Sequence, residues 1–249
     1  MKKKILITGG SGLFGQYLNI ELSKENEILT LFDNNAGNCR DFNSLKIDIT
    51  DRESLGKIIN IFKPDTIVHT ASVSNPQRAA SMEPREVYKI NVEATKNIAE
   101  LCNQHKAKLI YTSTDLVYAG YRGSMLNENA KIIPISLYAE TKLMGEIKIR
   151  EIFDNYIILR MALLYGVVLN QSKNHFHQMY NDLKEGKVVK LFYDQFRTPL
   201  SLLEAARILN EVCELTIEGE IINFAGKERV SRLELGEILC EVAGFNKNL

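Results

Sequence analysis

Three observations predict an α/β fold in which a doubly wound parallel sheet carries a small C-terminal lobe. Apolar strand-like runs alternate with amphipathic helical segments five times before residue 165, and the links between them are short. Short links of this kind are typical of right-handed crossovers between parallel strands. The alternation loosens after residue 165. We therefore predict a sheet domain at residues 1–165 and a lobe at residues 166–249, of which residues 198–225 pack back on the sheet.

Composition and charge indicate that the partner is a small molecule. The 249 residues include 31 lysines and arginines and 31 aspartates and glutamates, so the formal net charge is zero. A neutral chain offers no electrostatic basis for binding nucleic acid or an acidic membrane surface. The apolar run behind Lys4 is too short for an export signal, and no run reaches membrane-spanning length. The four cysteines are scattered, so we expect reduced thiols and a cytoplasmic location.

The first strand, Ile5 to Ile7, runs into a glycine-rich turn. The sequence Thr8-Gly9-Gly10-Ser11-Gly12-Leu13-Phe14-Gly15 lets the backbone turn sharply and approach a ligand closely. An amphipathic helix follows, with Gln16 and Asn19 expected off its apolar face. The N-terminus of such a helix favours an anion such as a phosphate. The candidate phosphate-binding residues are Gly9, Ser11, Gly12, Leu13, Phe14 and Gly15.

The second strand, Ile28 to Phe32, ends on an acidic residue. Asp33 lies 18 residues after Gly15. A dinucleotide-binding unit of the Rossmann type places an acid there to accept hydrogen bonds from the adenosine ribose. A carboxylate at this position repels the 2′-phosphate of NADP, so we predict a preference for NAD(H). NADP(H) is the alternative because Arg40 is nearby, and Asn34 joins Asp33 as a candidate contact.

The next strand and helix are marked by a capping pattern. Asp48-Ile49 ends a short strand, and Thr50 with Glu53 resembles a capping box that opens a helix. A buried strand from Thr66 then runs into small residues at the edge where parallel sheets bind their ligands. Small side chains there leave room for a flat ligand. We therefore include in the cofactor site Thr70, Ala71 and Ser72.

The middle of the chain continues the alternation. A long helix is predicted from Pro84 to about His105, and a strand from Lys108 to Thr112. This strand ends in Ser113-Thr114-Asp115, which puts hydroxyl groups at the ligand-binding edge of the sheet. A loop at residues 119–136 follows, and loops of this length usually serve a site.

The remaining elements follow from periodicity and helix-capping patterns. We predict a helix at residues 137–152, a strand at 156–160, and in the lobe a helix at 176–184, a strand at 188–192, a helix after Ser201 with Glu204, a strand at 220–224 and a helix after Ser231 with Glu234. His175 and His177 point to opposite sides of a helix, so we expect no metal site.

A phenol and an ammonium group lie four residues apart at Tyr138 and Lys142, on one face of a helix. The cation favours the phenolate, so we expect the pKa of Tyr138 to lie below its reference value of about 10. Tyr180 and Lys184 have the same spacing. Only Tyr138 follows a hydroxyl-rich strand end, so we predict that Thr114, Tyr138 and Lys142 are catalytic. The second pair is expected to be a solvated helix face.

Together these motifs resemble the extended short-chain dehydrogenase/reductases. The resemblance covers nearly the whole chain and rests on the glycine turn, Asp48-Ile49, Asn91-Val92 and the segment from Tyr138 to Lys142. Within that family, residues 113–118, 137–146, 194–199 and 226–232 are most similar to the dTDP-4-dehydrorhamnose reductase branch. Members of that branch usually continue past the helix that here ends near Ala243, so the resemblance implies a longer substrate lobe.

The resemblance implies reduction of a nucleotide-linked 4-keto sugar, as in dTDP-rhamnose biosynthesis. The nicotinamide of NADH or NADPH would supply a hydride and Tyr138 the proton. Thr114 would hold the ketone oxygen, and Lys142 would tune Tyr138 and bind the nicotinamide ribose. The remaining implied cofactor contacts are Asp48 and Ile49 at the adenine and Ala71 and Ser72 in the cleft. A homodimer through the long helices is a further expectation from the family.

Two other functions stay open at this point. A sugar-nucleotide epimerase or dehydratase uses the same tyrosine and lysine with tightly retained NAD. The same fold branch also includes non-catalytic, cofactor-binding regulatory subunits, such as the β subunit of methionine adenosyltransferase.

Overall fold

The computed structural model describes residues 2–118, 120–124, 126–170 and 174–247. Ala119 and Met125 of the predicted loop, residues 171–173, and the chain ends at Met1 and residues 248–249 lie outside this description. The strands are β1 (Lys4–Thr8), β2 (Glu27–Phe32), β3 (Ser44–Lys46), β4 (Thr66–His69), β5 (Lys108–Thr114), β6 (Tyr156–Met161), β7 (Leu164–Tyr165), β8 (Phe196–Arg197), β9 (Leu200–Ser201), β10 (Glu220–Phe224) and β11 (Val230–Ser231).

Helices cover both faces of the sheet and build most of the lobe. They are α1 (Leu13–Leu22), α2 (Arg52–Phe62), α3 (Pro76–Ser81), α4 (Pro84–Tyr88), α5 (Ala94–His105), α6 (Leu137–Ile152), α7 (His175–Lys184), α8 (Leu202–Glu214) and α9 (Arg232–Ala243). A π-helical segment, Lys89–Glu93, joins α4 to α5.

In the described part of the chain, seven strands form one parallel sheet in the order β3-β2-β1-β4-β5-β6-β10. The chain starts at the centre and moves outward in one direction and then in the other. This order is that of a doubly wound sheet, which confirms the predicted fold class. Ligands of such sheets bind at the carboxyl ends of the strands, beside the point where the order reverses, here between β1 and β4.

Alternate residues of the central strands enter two separate cores. Ile5 of β1 packs with Leu18 of α1 and Leu209 of α8 on one face of the sheet. Leu6 packs with α2 and α5 on the other face, in a cluster that includes Ile59 and Ile98. Because both faces are covered, the strands are apolar throughout, as parallel strands usually are.

The late part of the chain divides between the sheet and the lobe. β10 pairs in parallel with β6, and α8 packs against α1. The lobe has a small core of its own between α7 and α9, in which Met179 and Leu183 pack with Leu235 and Leu239. The sheet domain therefore includes elements that follow part of the lobe in sequence.

Several local predictions differ from the structure. β3 ends at Lys46, before Asp48, and Asp51 caps α2 by accepting from the Ser54 amide, so the cap lies one residue after Thr50. Residues 188–192, all described, form no strand. Tyr180 is partly buried in the lobe core, where its ring centre lies 5.4 Å from that of Phe245, so it is not a solvated side chain.

Candidate active site

The glycine turn between β1 and α1 has the shape of a phosphate cradle. Gly9 has a φ of +73°, in the left-handed region that favours glycine. A Cβ on Gly15 would lie 2.2 Å from the Gly9 carbonyl oxygen, so only glycine lets the helix begin this close to the turn. Gly12 precedes α1, and no side-chain oxygen caps the first-turn amides. These features fit the phosphates of a dinucleotide, which would supply the acceptors that these amides require.

Two polar side chains of α1 support the turn from behind. Asn19 Nδ2 donates to the Gly10 carbonyl oxygen at 3.0 Å and to Asn38 Oδ1 at 2.9 Å. Gln16 Nε2 donates to the Ser11 carbonyl oxygen at 3.1 Å. Both side chains are buried, so the prediction that they lie away from the core is wrong. A pattern that counts only apolar residues misses them because their amide groups are paired with backbone carbonyls.

The predicted adenosine contacts lie along an exposed edge beyond the turn. Asp33 directly follows β2 and accepts a hydrogen bond from Asn34 Nδ2 at 2.7 Å. Asp48 Oδ1 accepts from the Thr50 amide at 2.8 Å, and Ile49 is half-buried beside it. Among the described residues that line the main cleft, none of Asp33, Asn34, Asp48 and Ile49 is present. The structure therefore places these four residues at the surface, on the β2–β3 side of the turn.

A cleft of about 810 Å³ lies at the carboxyl edge of the sheet, between the sheet domain and the lobe. Its volume lies in the range of about 300–1,000 Å³ that is usual for ligand pockets. Ser11 and Ala71 do not line it. It brings together most of the predicted site residues, namely Gly9, Gly12, Leu13, Phe14, Gly15, Thr70, Ser72, Thr114, Tyr138 and Lys142.

Thr114 and Tyr138 meet in this cleft. Thr114 ends β5, and Ser136 caps α6 by accepting from the Ala139 amide at 3.2 Å, which places Tyr138 in the first turn. The two side chains are buried and line the same cleft. Burial raises the pKa of Tyr138 to about 12, the Thr114 hydrogen bond opposes this rise, and the Asp115 carboxylate adds to it. The phenol therefore keeps its proton at neutral pH.

Lys142 lies one turn further along α6 and is 2 % exposed. Its Nζ lies 4.1 Å from the centre of the Tyr111 ring. Burial lowers the pKa of Lys142 to about 7, and the Glu146 carboxylate opposes the fall. The predicted lowering of the Tyr138 pKa by Lys142 is therefore wrong for this structure. The Lys142 ammonium group lies over the Tyr111 ring. The pKa of Tyr138 is set mainly by the burial of Tyr138 itself.

A buried histidine that the sequence analysis did not assign to the site links β1, β4 and α5. His69 Nδ1 hydrogen-bonds to Thr8 Oγ1 at 2.7 Å, and Nε2 to Thr95 Oγ1 at 2.9 Å. The Thr95 hydroxyl donates to the Asn91 carbonyl oxygen at 2.8 Å, so His69 Nε2 carries the proton and Nδ1 accepts. Burial lowers the pKa of His69 to about 3, and the charge of Lys142 adds to the fall. The imidazole is therefore neutral at neutral pH.

Asn91 connects this chain of hydrogen bonds to the catalytic helix. It lies in the π-helical segment between α4 and α5. Its Oδ1 accepts from the Val73 amide at 2.8 Å, and its Nδ2 donates to Thr141 Oγ1 at 3.0 Å. The loop after β4 and the turn of α6 that carries Lys142 are thus held in one arrangement. The resemblance to the family includes Asn91, but its partners become evident only in the fold.

Two lobe arginines and an aspartate lie in the cleft with the candidate catalytic residues. Arg197 of β8, Arg232 of α9 and Asp115 all line the cleft. Burial raises the pKa of Asp115, and the two guanidinium groups and the Thr114 hydrogen bond oppose the rise. Burial lowers the pKa of Arg232, and the charge of Arg197 lowers it further. Two guanidinium groups and one carboxylate thus share this part of the cleft, and the arginines are suited to bind an anionic ligand. The sequence analysis did not include these arginines because only the fold brings them near Thr114.

Two other kinds of feature are absent from the described ranges. They contain no group of three or more His, Cys, Asp or Glu side chains that could hold a metal ion. They also contain no helix of the length and apolar character needed to cross a membrane.

Known protein sequences resemble the chain over nearly its whole length. The family model described as RmlD substrate binding domain matches residues 2–248. The dTDP-4-dehydrorhamnose reductase of Aggregatibacter actinomycetemcomitans is 29% identical over 254 residues, covering 99% of this chain and 81% of that protein. Methionine adenosyltransferase 2 subunit beta of Xenopus laevis is 28% identical over 251 residues, covering 98% of this chain and 72% of that protein.

Solved structures show the same similarity. A hypothetical dTDP-4-dehydrorhamnose reductase from Sulfolobus tokodaii is 30% identical with a TM-score of 0.85, covering 98% of this chain and 83% of that one. The dTDP-4-dehydrorhamnose reductase of Bacillus anthracis, in complex with NADP, is 25% identical with a TM-score of 0.85. That match covers 99% of this chain and 82% of the other.

Proposed function

The chain belongs to the RmlD substrate-binding-domain family, and from this premise we propose that it reduces the ketone of a nucleotide-linked 4-keto sugar with NADH or NADPH. Within the extended short-chain dehydrogenase/reductases, it is an NAD(P)-dependent oxidoreductase. The observation that carries the proposal is the arrangement of the cleft. Thr114 and Tyr138 line the same cleft as the glycine turn and the arginines Arg197 and Arg232.

In the proposed reaction, each catalytic residue has a separate role in ketone reduction. A nicotinamide cofactor held by the glycine turn and Lys142 would supply the hydride for the carbonyl carbon. Tyr138 gives its phenolic proton to the carbonyl oxygen, so that the ketone becomes a secondary alcohol and the tyrosine a phenolate. Thr114 donates a hydrogen bond that holds the same oxygen in reach. Lys142 stabilises the phenolate by its charge and holds the nicotinamide ribose, which gives the buried ammonium a role in both binding and proton transfer.

The arginines suggest which part of the substrate binds in the lobe. A nucleotide-linked sugar carries a diphosphate between its base and its sugar. Arg197 and Arg232 present guanidinium groups to the cleft, and their mutual repulsion is relieved by an anion with more than one charge. With the diphosphate on these arginines, the sugar would extend toward Thr114 and Tyr138. This orientation supports a nucleotide-linked sugar over a free one.

We propose that NAD(H) is the preferred cofactor. Asp33 is exposed at the end of β2, where its carboxylate would accept the ribose hydroxyls of NAD and repel the 2′-phosphate of NADP. The similar Bacillus anthracis reductase is in complex with NADP, so the family accepts the phosphorylated cofactor in at least one member. The preference therefore depends on the local charge at Asp33.

The experiment that tests the function is a reduction assay with purified protein. NADH absorbance is followed with dTDP- and UDP-linked 4-keto sugars, and the alcohol product is identified by mass spectrometry. We expect one NADH to be consumed for each sugar reduced. Binding of NADH without turnover of any 4-keto sugar nucleotide would contradict the proposal. NAD that co-purifies and is regenerated in each cycle would indicate an epimerase or dehydratase instead.

A second candidate function is supported by one comparison. Relatives such as the Xenopus laevis protein are named as a subunit of methionine adenosyltransferase, with similarity over 98% of this chain. A chain of this kind binds a dinucleotide and acts through a partner enzyme. Replacing Tyr138 by Phe separates the two functions: a reductase loses turnover, whereas a partner effect persists. Stimulation of a methionine adenosyltransferase by the Tyr138→Phe variant would favour this second function.

A further inference from the structure

Glu146 is a buried acid that the proposed chemistry has not yet used. It lies one turn beyond Lys142 on α6, and its side chain is 1 % exposed. Its carboxylate forms an ion pair with Arg160 of β6 at 2.8 Å and accepts a hydrogen bond from the Ser113 hydroxyl. Ser113 precedes Thr114 in β5. The carboxylate therefore contacts the strand that carries Thr114 and lies one helical turn from Lys142.

Arg160 contacts this carboxylate through two of its nitrogens, and its third nitrogen donates to groups outside the ion pair. Its Nη1 donates to Tyr118 Oη at 2.7 Å and to the Glu128 carbonyl oxygen at 3.0 Å. Its Nε and Nη2 donate to Glu146. The guanidinium therefore also holds the segment after β5. The Glu146 oxygens remain the acidic group that acts on the lysine.

Glu146 is the carboxylate that acts on Lys142, whereas the Asp115 carboxylate, which lines the same cleft, acts on Tyr138. From β5, the Tyr111 ring lies beneath Nζ at 4.1 Å, and burial together with Glu146 raises the pKa of Tyr111. From β4, His69 is neutral, and a protonated His69 would repel the lysine. Tyr138, on α6 itself, keeps its proton because its pKa is raised to about 12. The nearby side chains of α5 and its π-helical start, Thr95 and Asn91, are uncharged.

The packing of α6 keeps this group of side chains close together. Gly145 lies between Lys142 and Glu146, and a Cβ there would approach Tyr111 Oη to 2.5 Å. Glycine at this position lets the Tyr111 ring pass under the helix to reach the lysine. The Tyr111 hydroxyl also donates to the Lys142 carbonyl oxygen at 3.4 Å.

We propose that Glu146 is a positioning residue of the reaction, whose carboxylate, held by Arg160 and Ser113, is the buried counter-charge that keeps Lys142 protonated on the Tyr111 ring. A buried ammonium group loses its hydration and tends to lose its proton unless an anion compensates for it. Lys142 without its proton would neither stabilise a Tyr138 phenolate nor bind the cofactor ribose with a charged donor. The inference rests on the proposed role of Lys142, so its test measures cofactor binding separately from turnover.

The test compares Glu146→Gln with Glu128→Gln. Gln keeps the size of Glu146 and a carbonyl oxygen for Ser113 and Arg160, but it removes the charge. Glu128 is an acid of the same network, whose Oε1 accepts from the Asn223 amide at 2.8 Å, and it is not among the groups that act on Lys142. NADH fluorescence titrations between pH 5.5 and pH 9 give the midpoint of the pH dependence of binding for each protein.

We expect the midpoint of Glu146→Gln to move to lower pH by about one unit, and its NADH affinity at pH 8 to fall by about tenfold relative to the wild type. Glu128→Gln should keep the wild-type midpoint. If Glu146 only anchors Arg160, both variants melt at lower temperature but titrate with the wild-type midpoint, and the proposal is overturned. Because the readout is binding, absence of sugar-nucleotide turnover would refute the proposed function without affecting this result.

A second variant, expected to move the pH midpoint of NADH binding in the opposite direction, tests the proposal if Glu146→Gln does not fold. Arg160→Gln removes the competing cation while its amide can still donate to Glu146, so the carboxylate acts more strongly on Lys142. The midpoint should then move to higher pH, whereas a purely structural ion pair predicts no movement. Circular dichroism and a cooperative thermal transition establish that each variant is folded, and either folded variant decides the question.

Discussion

At the scale of single residues, the protonation states of the site favour ketone reduction. Burial raises the pKa of Tyr138 to about 12, so the phenol holds its proton at neutral pH. Reduction of a ketone consumes a proton, and the tyrosine is therefore already in the form that the reaction needs. Lys142, with a pKa lowered to about 7, lies close to the point at which it changes charge. A small change in the surroundings of Lys142 therefore changes its charge. That charge in turn determines how strongly Lys142 stabilises the phenolate form of Tyr138.

Replacing Tyr138 by Phe tests this role directly. We expect kcat to fall by about 10²–10⁴-fold, because the proton donor is lost while the ring still fills its place. The Kd for NADH should change little, since the glycine turn and Lys142 remain. The matched control is Tyr180→Phe in the other tyrosine–lysine pair, whose ring packs against Phe245 in the lobe. Equal losses of kcat in the two variants would refute a special role for Tyr138.

The proposed preference for NAD(H) depends on the carboxylate of Asp33. In Asp33→Asn, we expect kcat/KM for NADPH to rise relative to that for NADH by about tenfold, equivalent to ~1.4 kcal/mol of relieved repulsion. Asp48→Asn removes another exposed acid from the same edge and should change both cofactors alike. Steady-state rates with each cofactor give the ratio. An unchanged ratio in Asp33→Asn would place the 2′-hydroxyl away from this carboxylate.

At the scale of elements, the sequence predicted those parts whose signals are local. The bounds of β10 agree with the prediction, and Ser201 and Ser231 cap α8 and α9 as expected, the latter with a complete capping box. The π-helical segment Lys89–Glu93 leaves no such mark, because the apolar stripe of the long helix continues through it. Residues 188–192 have the composition of a strand but pair with no neighbouring strand in the described structure. Strand pairing is a non-local property that residue composition alone does not determine.

The glycine turn is the element that we propose binds the cofactor phosphates. In Gly15→Ala, the added Cβ would meet the Gly9 carbonyl oxygen at 2.2 Å, so the turn or the helix must shift. We expect NADH binding to weaken by at least about tenfold, because the first-turn amides no longer point at the phosphates. Isothermal titration measures the change.

The control for this substitution is Gly56→Ala, in the middle of α2. A Cβ at Gly56 makes an ordinary 3.5 Å contact with Leu101 Cδ2. This variant should keep its affinity for NADH and gain about 0.5–1 kcal/mol in free energy of unfolding, because alanine is the better helix former. A loss of affinity in Gly56→Ala comparable to that of Gly15→Ala would mean that helix stability, and not the shape of the turn, limits binding.

At the scale of the whole molecule, the site is assembled from parts that are distant in the sequence. Motifs predicted Thr114, Tyr138 and Lys142 because each lies at a recognisable strand end or helix position. Arg197 and Arg232 lie in segments that share the family resemblance, but their place beside Thr114 becomes evident only because the lobe folds over the sheet edge. The supports behind the site, such as His69 and Glu146, are polar residues inside apolar segments. The structural roles of these residues depend on partners from other elements, and a single sequence does not reveal those partners.

The buried histidine makes the stability of the whole fold sensitive to acid. His69 joins β1, β4 and α5 through hydrogen bonds to Thr8 and Thr95 that require the neutral imidazole. Its pKa falls from 6.5 to about 3 on folding, so below pH 6.5 the unfolded chain binds a proton that the native state does not. The contribution of His69 to the free energy of unfolding should therefore decrease by about 1.4 kcal/mol for each pH unit below 6.5. The contributions of other titratable groups add to this change. Above pH 6.5 the contribution of His69 is fully present.

Denaturant unfolding at pH 7, 6 and 5 measures this effect. His69→Gln should be less stable than the wild type at pH 7, because the hydrogen bonds to Thr8 and Thr95 are weakened. The difference between the two proteins should then shrink by about 2 kcal/mol between pH 6.5 and pH 5, since the variant has no imidazole to protonate at this position. His105→Gln removes an exposed histidine at the end of α5 and should follow the wild-type curve. Parallel curves for the wild type and His69→Gln would show that His69 becomes protonated within the folded protein, and that the three elements do not depend on its neutral form.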